Sequence, residues 1–382
     1  MNPTPQKRPF PKPAPWIRTT LRRCWAVVAI VIAAGALLSA NGGRFNPDVT
    51  SFPAILSMSF PFWMIALAVT ALISFFVSRR LSLGLWVAML FCTGGLADYC
   101  PLNLFRSSSY EPADSARVIK VMTYNTYGFC DDENQYPDNT NRTASAIINS
   151  GADVVLVQEI GFIDDMPSRH LTSVQVDSLH RLYPYSMFNE LKMTGILSRY
   201  PLEWVELPQP IDIYAGWEAA KIRVDSTDIM LVSLHLQSLG LNDEDKVIYH
   251  EITSGGNIED WKEAGKIIYD KIASAMKRRA YQARLLRHAI DSVGCRDMIL
   301  AGDFNDINGC YAMRTICGSD IRSTFTAAGH GPTITYHRDR FFFNIDHILY
   351  SGSLRPLEIS TGSVNSSDHY PVYATFILDR DR

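Results

Sequence analysis

The stretch at residues 300–306, LAGDFND, combines residue types that can do chemistry. An apolar run at residues 298–301 leads into Gly302, and Asp303 and Asn305 follow. Strand side chains alternate between two faces, so this carboxylate and this carboxamide should point the same way at a strand tip. Such a pair can polarise a water molecule and fix its position against an anionic centre. Asp and Asn are also common turn formers, so the motif alone leaves both interpretations open.

Five further stretches place polar side chains at the ends of predicted strands. They are VIKVMTYN ending in Asn125, VVLVQE ending in Glu159, SLHLQ with His235, NIDHILYS with Asp346, and SSDHYPV with Asp368 and His369. α/β folds place their sites at strand ends and in the adjoining loops. Each residue also has a purely structural interpretation, for example a turn cap at Asn125 or a core imidazole at His235. Their recurrence in one chain favours a single site.

Strands and helices that could position these groups alternate along the chain. Apolar runs typical of strands occur at residues 118–124, 154–158, 195–197, 219–224, 229–236, 298–301, 345–350 and 372–377. Helical patterns occur at residues 142–150, 174–183 and 257–293. Strands interleaved with helices, with hairpin-like pairs among them, predict a mixed, layered α/β domain of the α+β type.

The charges are distributed unevenly, although the whole chain has 36 Lys and Arg against 39 Asp and Glu. Residues 1–100 are basic and apolar, with Asp48 and Asp98 as their only acids, so the remainder is acidic. An acidic domain is poorly suited to binding long nucleic acid, since affinity for nucleic acid depends on neutralising its phosphates. A metal-dependent enzyme stays possible because the metal supplies positive charge.

Three apolar runs, at residues 24–43, 55–77 and 81–97, predict three transmembrane helices in a membrane anchor spanning residues 1–100. Roughly 20 apolar residues cross a bilayer as a helix, and the third run is short. Most basic residues of the anchor precede the first run, which predicts a cytoplasmic N-terminus. The chain would then be a multi-pass protein of an inner or plasma membrane, with everything after residue 97 on the outer side. Alternatively, the first run is a cleaved signal peptide.

The polar, Ser- and Pro-rich residues 101–116 are predicted to be a linker, and residues 117–382 the catalytic domain. Cys310 and Cys317 lie close enough in sequence for a disulfide in an oxidising compartment, but free thiols explain them equally well. The phenylalanines at 341–343 are interpreted as strand core. The long helix also has a group of basic residues, interpreted as a solvated helix face with a basic groove wall as the alternative; they are Arg278, Arg279, Arg284, Arg287 and His288.

The motifs, taken in chain order, resemble those of the endonuclease/exonuclease/phosphatase superfamily over residues 118–376. They are N, QE, SRYP, H, GDFN, IDHI and SDHYPV. That superfamily includes apurinic endonucleases, secreted deoxyribonucleases, neutral sphingomyelinases and inositol polyphosphate 5-phosphatases. The resemblance implies a four-layered α/β sandwich, two packed β-sheets flanked by helices, here preceded by the three predicted transmembrane helices.

The resemblance also implies a metal site. Glu159 matches the family's main metal ligand, Asn125 matches the amide beside it, and Asp368 matches a residue near the metal or its loop. Oxygen ligands of this kind suit Mg²⁺, or Mn²⁺, rather than zinc.

The same resemblance implies catalytic roles. Asp303 matches the residue that orients or deprotonates the attacking water, and Asn305 the amide that fixes it. His235 and His369 match imidazoles that donate to the phosphate, with His369 held in its tautomer by Asp346.

These roles imply a metal-dependent phosphoester hydrolase in which water attacks the phosphate in line. The histidine in HLQS resembles that of the secreted nucleases and the sphingomyelinases. The acidic balance and the anchor then favour a lipid or small-molecule phosphodiester over a nucleotide polymer such as DNA. A membrane-anchored nuclease and a catalytically silent adaptor are the alternatives, and no protein partner is predictable. A transporter is disfavoured because the predicted spans contain no intramembrane charge.

Overall fold

A computed structural model describes residues 14–103, 117–130, 140–160, 171–213, 215–241, 244–245, 247, 251, 261–338 and 342–378. Residues 14–103, called here the helical segment, contain the helices α1 (Pro15–Ala40), α2 (Phe52–Ser57), α3 (Phe60–Val77), α4 (Arg79–Leu90) and α5 (Thr93–Tyr99). Of the residues predicted to form the linker, 104–116 lie outside the described residues.

Two helices of this segment, α1 and α3, are long and apolar enough to cross a membrane, which is fewer than the three predicted. The third predicted span, residues 81–97, is not one straight helix, because α4 and α5 meet at an angle of 52°. Two glycines follow the break, and a Cβ on Gly95 would lie 2.9 Å from the Cα of Ala40, so the chain bends where it passes the end of α1. The second span begins later than predicted because Pro61, in the first turn of α3, starts a new helix.

The rest of the chain is built on two six-stranded sheets, and these sheets with their helices and loops are called here the sandwich. Its strands are β1 (Arg117–Asn125), β2 (Val154–Gln158), β3 (Tyr185–Asn189), β4 (Thr194–Ser198), β5 (Glu203–Trp204), β6 (Gly216–Val224), β7 (Thr227–His235), β8 (Met298–Asp303), β9 (Arg322–Ser323), β10 (Asp346–Tyr350), β11 (Leu354–Thr361) and β12 (Val372–Leu378). The first sheet has the order β11-β12-β1-β2-β4-β3 and the second β5-β6-β7-β8-β10-β9.

Helices cover the outer faces of both sheets. They are α6 (Arg142–Asn149), α7 (Ser173–Leu182), α8 (Trp261–Val293) and α9 (Tyr311–Cys317). The short helix α10 (Thr324–Ala328) instead packs on β10 and β11, beside the cluster between the sheets. One apolar cluster joins the inner faces of the sheets, and it includes Leu156, Leu231 and Phe376. A second cluster packs α8 and α9 on one outer face, and a third packs α6 and α7 on the other. The predicted four-layered α/β sandwich of two packed sheets is therefore confirmed.

The strand register gathers polar strand ends at one edge of the sandwich. In the second sheet, β8 is parallel to β7 and antiparallel to β10, and Asp303 lies opposite both His235 and Asp346. In the first sheet, β1 and β2 are parallel, and Asn125 lies opposite Gln158. Because parallel strands end at the same edge, groups far apart in sequence become neighbours.

The helical segment packs directly against the sandwich. The Arg284 guanidinium, on α8, donates to the Asp48 carboxylate at 2.8 Å, and the Asn308 amide donates to the carbonyl of Asp98 at 2.7 Å. Gly43 approaches the loop before α9 so closely that a Cβ there would lie 2.0 Å from the Gly309 carbonyl oxygen. These contacts hold the helices beside the polar edge of the sheets.

Cys310 and Cys317 are both free thiols, so the disulfide alternative is not observed. The two residues stand at opposite ends of α9, about 10 Å apart along a helix that rises about 1.5 Å per residue. A disulfide requires Cα atoms within about 7 Å, so this helix keeps the two thiols apart.

Candidate active site

The candidate site is centred on the carboxylate of Asp303, which ends β8 and is buried. The Asn125 amide nitrogen donates to Asp303 Oδ2 at 3.1 Å and to Glu159 Oε1 at 3.0 Å. His235 Nε2 lies 3.7 Å from Asp303 Oδ2 and 3.9 Å from Glu159 Oε1. His369 Nε2 lies 3.6 Å from the same Asp303 oxygen. Residues from both sheets therefore converge on one carboxylate.

A buried carboxylate orients His369 from behind. His369 Nδ1 lies 2.8 Å from Asp346 Oδ2, and the Asp346 amide donates to Thr335 Oγ1 at 3.0 Å. The Tyr336 ring meets the imidazole edge-on, with ring centroids 5.0 Å apart. The carboxylate accepts a hydrogen bond from Nδ1–H, so Nε2 is the nitrogen that faces Asp303.

Gly302 and Asn305 shape the loop that presents Asp303. A Cβ on Gly302 would lie 1.8 Å from the carbonyl oxygen of Leu234 on β7, so only glycine permits the two strands to approach this closely. Asn305 has φ 51°, a left-handed conformation that asparagine tolerates. Its backbone N–H donates to Asp303 Oδ1 at 2.7 Å, and its side-chain nitrogen donates to the Leu236 carbonyl at 2.9 Å. The loop therefore holds the carboxylate rigidly.

Glu159 and Asp368 complete the cluster on its open side. Glu159 follows β2 with φ 53°, which is uncommon for a side chain of this size and typical of functional loops. Asp368 lies in the loop before β12, where the Ser367 hydroxyl donates to its Oδ1 at 3.3 Å and to the Asn125 carbonyl at 2.8 Å. Both carboxylates line one cavity together with Asp303.

Burial and neighbouring charges shift the titration of this cluster. Burial raises the pKa of Asp303 to about 6, against the opposing charge of His369. Burial alone would lower the pKa of His369, but the carboxylates of Asp346 and Asp303 outweigh it and raise that pKa to about 10. At neutral pH the site therefore holds an ionised Asp303 beside a protonated His369.

The carboxylates fit a hard divalent cation. Burial raises the pKa of Asp368 against the opposing positive charge of His369, and the nearby charge of Glu159 raises it further. Asp303, Asp346 and His369 also offer ligand atoms within 4.8 Å of one another. However, the Asp346–His369 hydrogen bond uses two of those groups, whereas the Glu159 side chain is 32% exposed and faces the cavity. Oxygen donors around Glu159 are therefore the better match for Mg²⁺ or Mn²⁺.

All eight residues singled out in the sequence lie together at this site. They are Asn125, Glu159, His235, Asp303, Asn305, Asp346, Asp368 and His369. All of them except Asn125 and Asp346 border a cavity of about 500 Å³, within the range of small-molecule sites. Apolar side chains form much of the remaining wall, including Met193, Leu236, Phe343 and, from the helical segment, Met58.

Two further polar residues, which sequence reasoning did not assign to the site, connect the sheets beneath it. The buried Gln158 amide nitrogen donates to Ser233 Oγ at 3.1 Å, and Ser233 Oγ donates to the Val157 carbonyl at 3.0 Å. The Thr123 hydroxyl donates to Gln158 Oε1 at 3.3 Å. A glutamine inside an otherwise apolar strand is the signal that points to this bridge, since buried amides need partners.

Arg279 is also part of this region, so its interpretation as a solvated helix residue is wrong. Its side chain is 1% exposed, its Nε lies 3.3 Å from Asp306 Oδ2, and its Nη1 donates to the Gln237 carbonyl at 2.9 Å. It therefore connects α8 to the loops after β7 and β8. The helical period alone does not tell which of the adjacent residues Arg278 and Arg279 faces inward.

Replacing Arg279 by methionine is expected to destabilise the protein by about 3–5 kcal/mol, because it leaves the buried Asp306 carboxylate without its ion-pair partner. Arg278→Met is the matched control, since that side chain is 59% exposed and its pair with Asp212 is 3.4 Å long. Arg278→Met should lower the free energy of unfolding by less than about 1 kcal/mol. Urea unfolding of both variants tests this, and equal losses would contradict the buried role of Arg279.

The family model described as "Endonuclease/Exonuclease/phosphatase family" matches residues 122–369. No curated protein sequence matches the chain significantly. Among solved structures, truncated Caenorhabditis elegans TDP2 is 15% identical, with 68% of this chain and 97% of that chain covered and a TM-score of 0.45. The endonuclease/exonuclease/phosphatase from Beutenbergia cavernae is 19% identical, with coverages of 69% and 72% and a TM-score of 0.47. ANGEL2, a 2',3'-cyclic phosphatase, is 14% identical, with coverages of 70% and 98% and a TM-score of 0.45.

Proposed function

The chain belongs to the endonuclease/exonuclease/phosphatase family, and we propose that it is a divalent-metal-dependent phosphoester hydrolase. The observation that supports this most is the convergence of Asn125, His235 and His369 on the Asp303 carboxylate, from both sheets. A purely structural role would not require so many buried polar groups at one edge, because each costs free energy to desolvate.

In this proposal Asp303 is the general base. The backbone N–H of Asn305 donates to Asp303 Oδ1, and Oδ2 faces His235 and His369. The carboxylate can therefore take the proton of a water placed in the cavity. Asn305 restrains the loop, which fixes where that water lies. General base catalysis contributes about 10²–10⁴-fold to a rate.

His235 and His369 donate to the phosphoryl oxygens as negative charge develops. His369 is protonated at neutral pH, since Asp346 stabilises its charge. The Nδ1 atom of His235 is buried with no hydrogen-bond partner among the described residues, so Nε2 is the atom that reaches the cavity. Preorganised donors of this kind are effective because they do not reorganise during the reaction.

Glu159, with Asn125 and Asp368, would hold Mg²⁺ or Mn²⁺. When bound, the cation offsets charge on the phosphate and polarises it. A phosphodiester is the proposed substrate, and a lipid or small-molecule diester is favoured over DNA because the sequence after residue 100 is acidic. We also propose that α1 and α3 anchor the chain in a membrane, with residues 117–382 on the outer side.

The activity should depend on pH with two limbs. Asp303 must be ionised to act as a base, so the rate should rise as pH increases through about 6. His369 must be protonated to donate, so the rate should fall as pH increases through about 10. The plot of kcat/KM against pH would then be a bell with a broad plateau, in which both limbs belong to the coupled cluster. A rate that rises monotonically beyond the upper limb would contradict the role of His369.

The proposed function is tested with the full chain, bis-p-nitrophenyl phosphate as the diester and p-nitrophenyl phosphate as the monoester. Release of p-nitrophenolate is measured with Mg²⁺, with Mn²⁺ and with EDTA. The expected result is diester hydrolysis that requires the cation and exceeds monoester hydrolysis. Glu159→Gln should raise the Mg²⁺ concentration needed for half-maximal rate by about 10-fold or more, since it removes a charged ligand. Release that EDTA leaves unchanged would contradict the proposal.

A further inference from the structure

A second cavity, of about 650 Å³, lies between the helical segment and the sandwich. The helical segment contributes Phe60, Pro61, Phe62 and Tyr99 to its wall, and the sandwich contributes Ile334 and Phe342. Phe62 is 74% exposed and Phe342 58% exposed, so the apolar rings on both walls are uncovered. The assignment of the phenylalanines at 341–343 to strand core is therefore wrong for Phe342, because β10 begins only at Asp346. Phe341 lies outside the described residues.

This second cavity, called here the interface cavity, adjoins the cavity at Asp303, called here the catalytic cavity. Met58, Ile307 and Phe343 line both of them. Ile307 directly follows the loop that carries Asp303 and Asn305, so the apolar wall begins within a few residues of the candidate base. A molecule with its phosphate in the catalytic cavity could therefore extend an attached chain past these three side chains.

The charged groups around the interface cavity are already paired with each other. Arg314 forms an ion pair with Asp98, and Asn308 donates to the Asp98 carbonyl at 2.7 Å and to Thr326 Oγ1 at 3.0 Å. Most of the other lining residues are apolar. A nucleotide base or a second phosphate would lose its hydration here without gaining compensating contacts, whereas a hydrocarbon chain would gain by leaving water.

We propose that the interface cavity binds the hydrocarbon chain of a lipid phosphoester whose phosphate is hydrolysed at Asp303. This inference rests on the proposed function, and it makes the helical segment part of the substrate site as well as an anchor. The membrane-spanning length of α1 and α3 supports this occupant, because it places the cavity beside a bilayer, the source of such chains.

The test compares ethyl p-nitrophenyl phosphate with octyl p-nitrophenyl phosphate, using the full chain in nanodiscs and ester concentrations below aggregation. Both esters have the same leaving group, so the ratio of their kcat/KM values isolates the alkyl chain. Each methylene removed from water favours binding by a factor of about four. Because the octyl chain is only partly enclosed, the expected octyl-to-ethyl ratio is about 10 or more.

Two matched variants separate the cavity from partition of the octyl ester into the nanodisc. Ile334→Trp places a larger side chain in the interface cavity, and Val174→Trp places one on the exposed face of α7, outside both cavities. The octyl-to-ethyl ratio should fall at least about fivefold in Ile334→Trp and stay at the wild-type value in Val174→Trp. The ratio does not depend on how much of each preparation is folded.

A wild-type ratio near one, or an equal fall in both variants, would overturn the inference while leaving the proposed function intact. If neither ester is hydrolysed, the proposed function fails, and calorimetric binding of octylphosphonate and ethylphosphonate then decides the inference. Tighter octylphosphonate binding that Ile334→Trp removes and Val174→Trp retains would support the cavity. Equal dissociation constants for the two phosphonates would overturn it.

Discussion

Asp303→Asn is expected to lower kcat for a phosphodiester by about 10³-fold or more. The change keeps the shape of the side chain but removes the charge that takes the proton of the attacking water, and a general base contributes about 10²–10⁴-fold. It also removes one of the carboxylates that raise the pKa of His369, so the protonated imidazole is less favoured. The kcat of purified wild type and variant, with saturating Mg²⁺, measures the effect.

Asp297→Asn is the matched control for this prediction. Asp297 immediately precedes β8, at the opposite end of the strand from Asp303, and its carboxylate accepts a hydrogen bond from the Ser353 hydroxyl at 2.6 Å. The same chemical change far from the cavity should alter kcat by less than about threefold, as expected of a residue with no part in catalysis. If the two variants lost activity equally, Asp303 would not be the base.

His369→Ala is expected to lower kcat by about 10²–10³-fold, the usual loss when one preorganised donor is removed from a developing oxyanion. His369 Nε2 faces Asp303, and its Nδ1 bonds Asp346, so truncation removes the donor and leaves a buried carboxylate behind. His288→Ala, on the exposed surface of α8, is the control and should retain wild-type kcat. Steady-state rates in Mg²⁺ compare the two.

Asp346→Asn tests whether Asp346 raises the pKa of His369 or has only a structural role. The Asp346 charge raises the pKa of His369, so removing it should move the alkaline limb of the pH profile to lower pH. A mainly structural role for Asp346 would lower the rate at every pH without moving that limb. The pH dependence of kcat/KM distinguishes these outcomes.

The strands that carry the site could be predicted because they are buried on both faces and therefore consist of continuous apolar runs. The edge strand β11 was not predicted from the sequence, since it contains Pro356 and has a register shift between Pro356 and Glu358. Such strands contact neighbours on one side only, so their sequences carry a weaker pattern. The helix α9 is short and begins at a Cys N-cap, which gives little periodic signal.

The site residues at strand ends could likewise be predicted, whereas the residues that support them could not. Gln158 and Arg279 act through partners on distant elements, so their role depends on tertiary contacts and not on neighbouring sequence. Met58 reaches the catalytic cavity only because the helical segment packs on the sandwich. The interface cavity results from that packing, and no local sequence motif predicts it.

In the proposed reaction the cluster directs one water molecule to attack phosphorus in line, and the stereochemical course at phosphorus shows whether it does. The full chain, with Mg²⁺, would hydrolyse a chiral phosphorothioate diester in water enriched in a heavy oxygen isotope, and the configuration of the labelled product would be determined. A single in-line displacement inverts the configuration at phosphorus, and inversion is the result we predict. Retention would indicate a covalent intermediate on an enzyme residue such as His369 and would contradict the role assigned to Asp303.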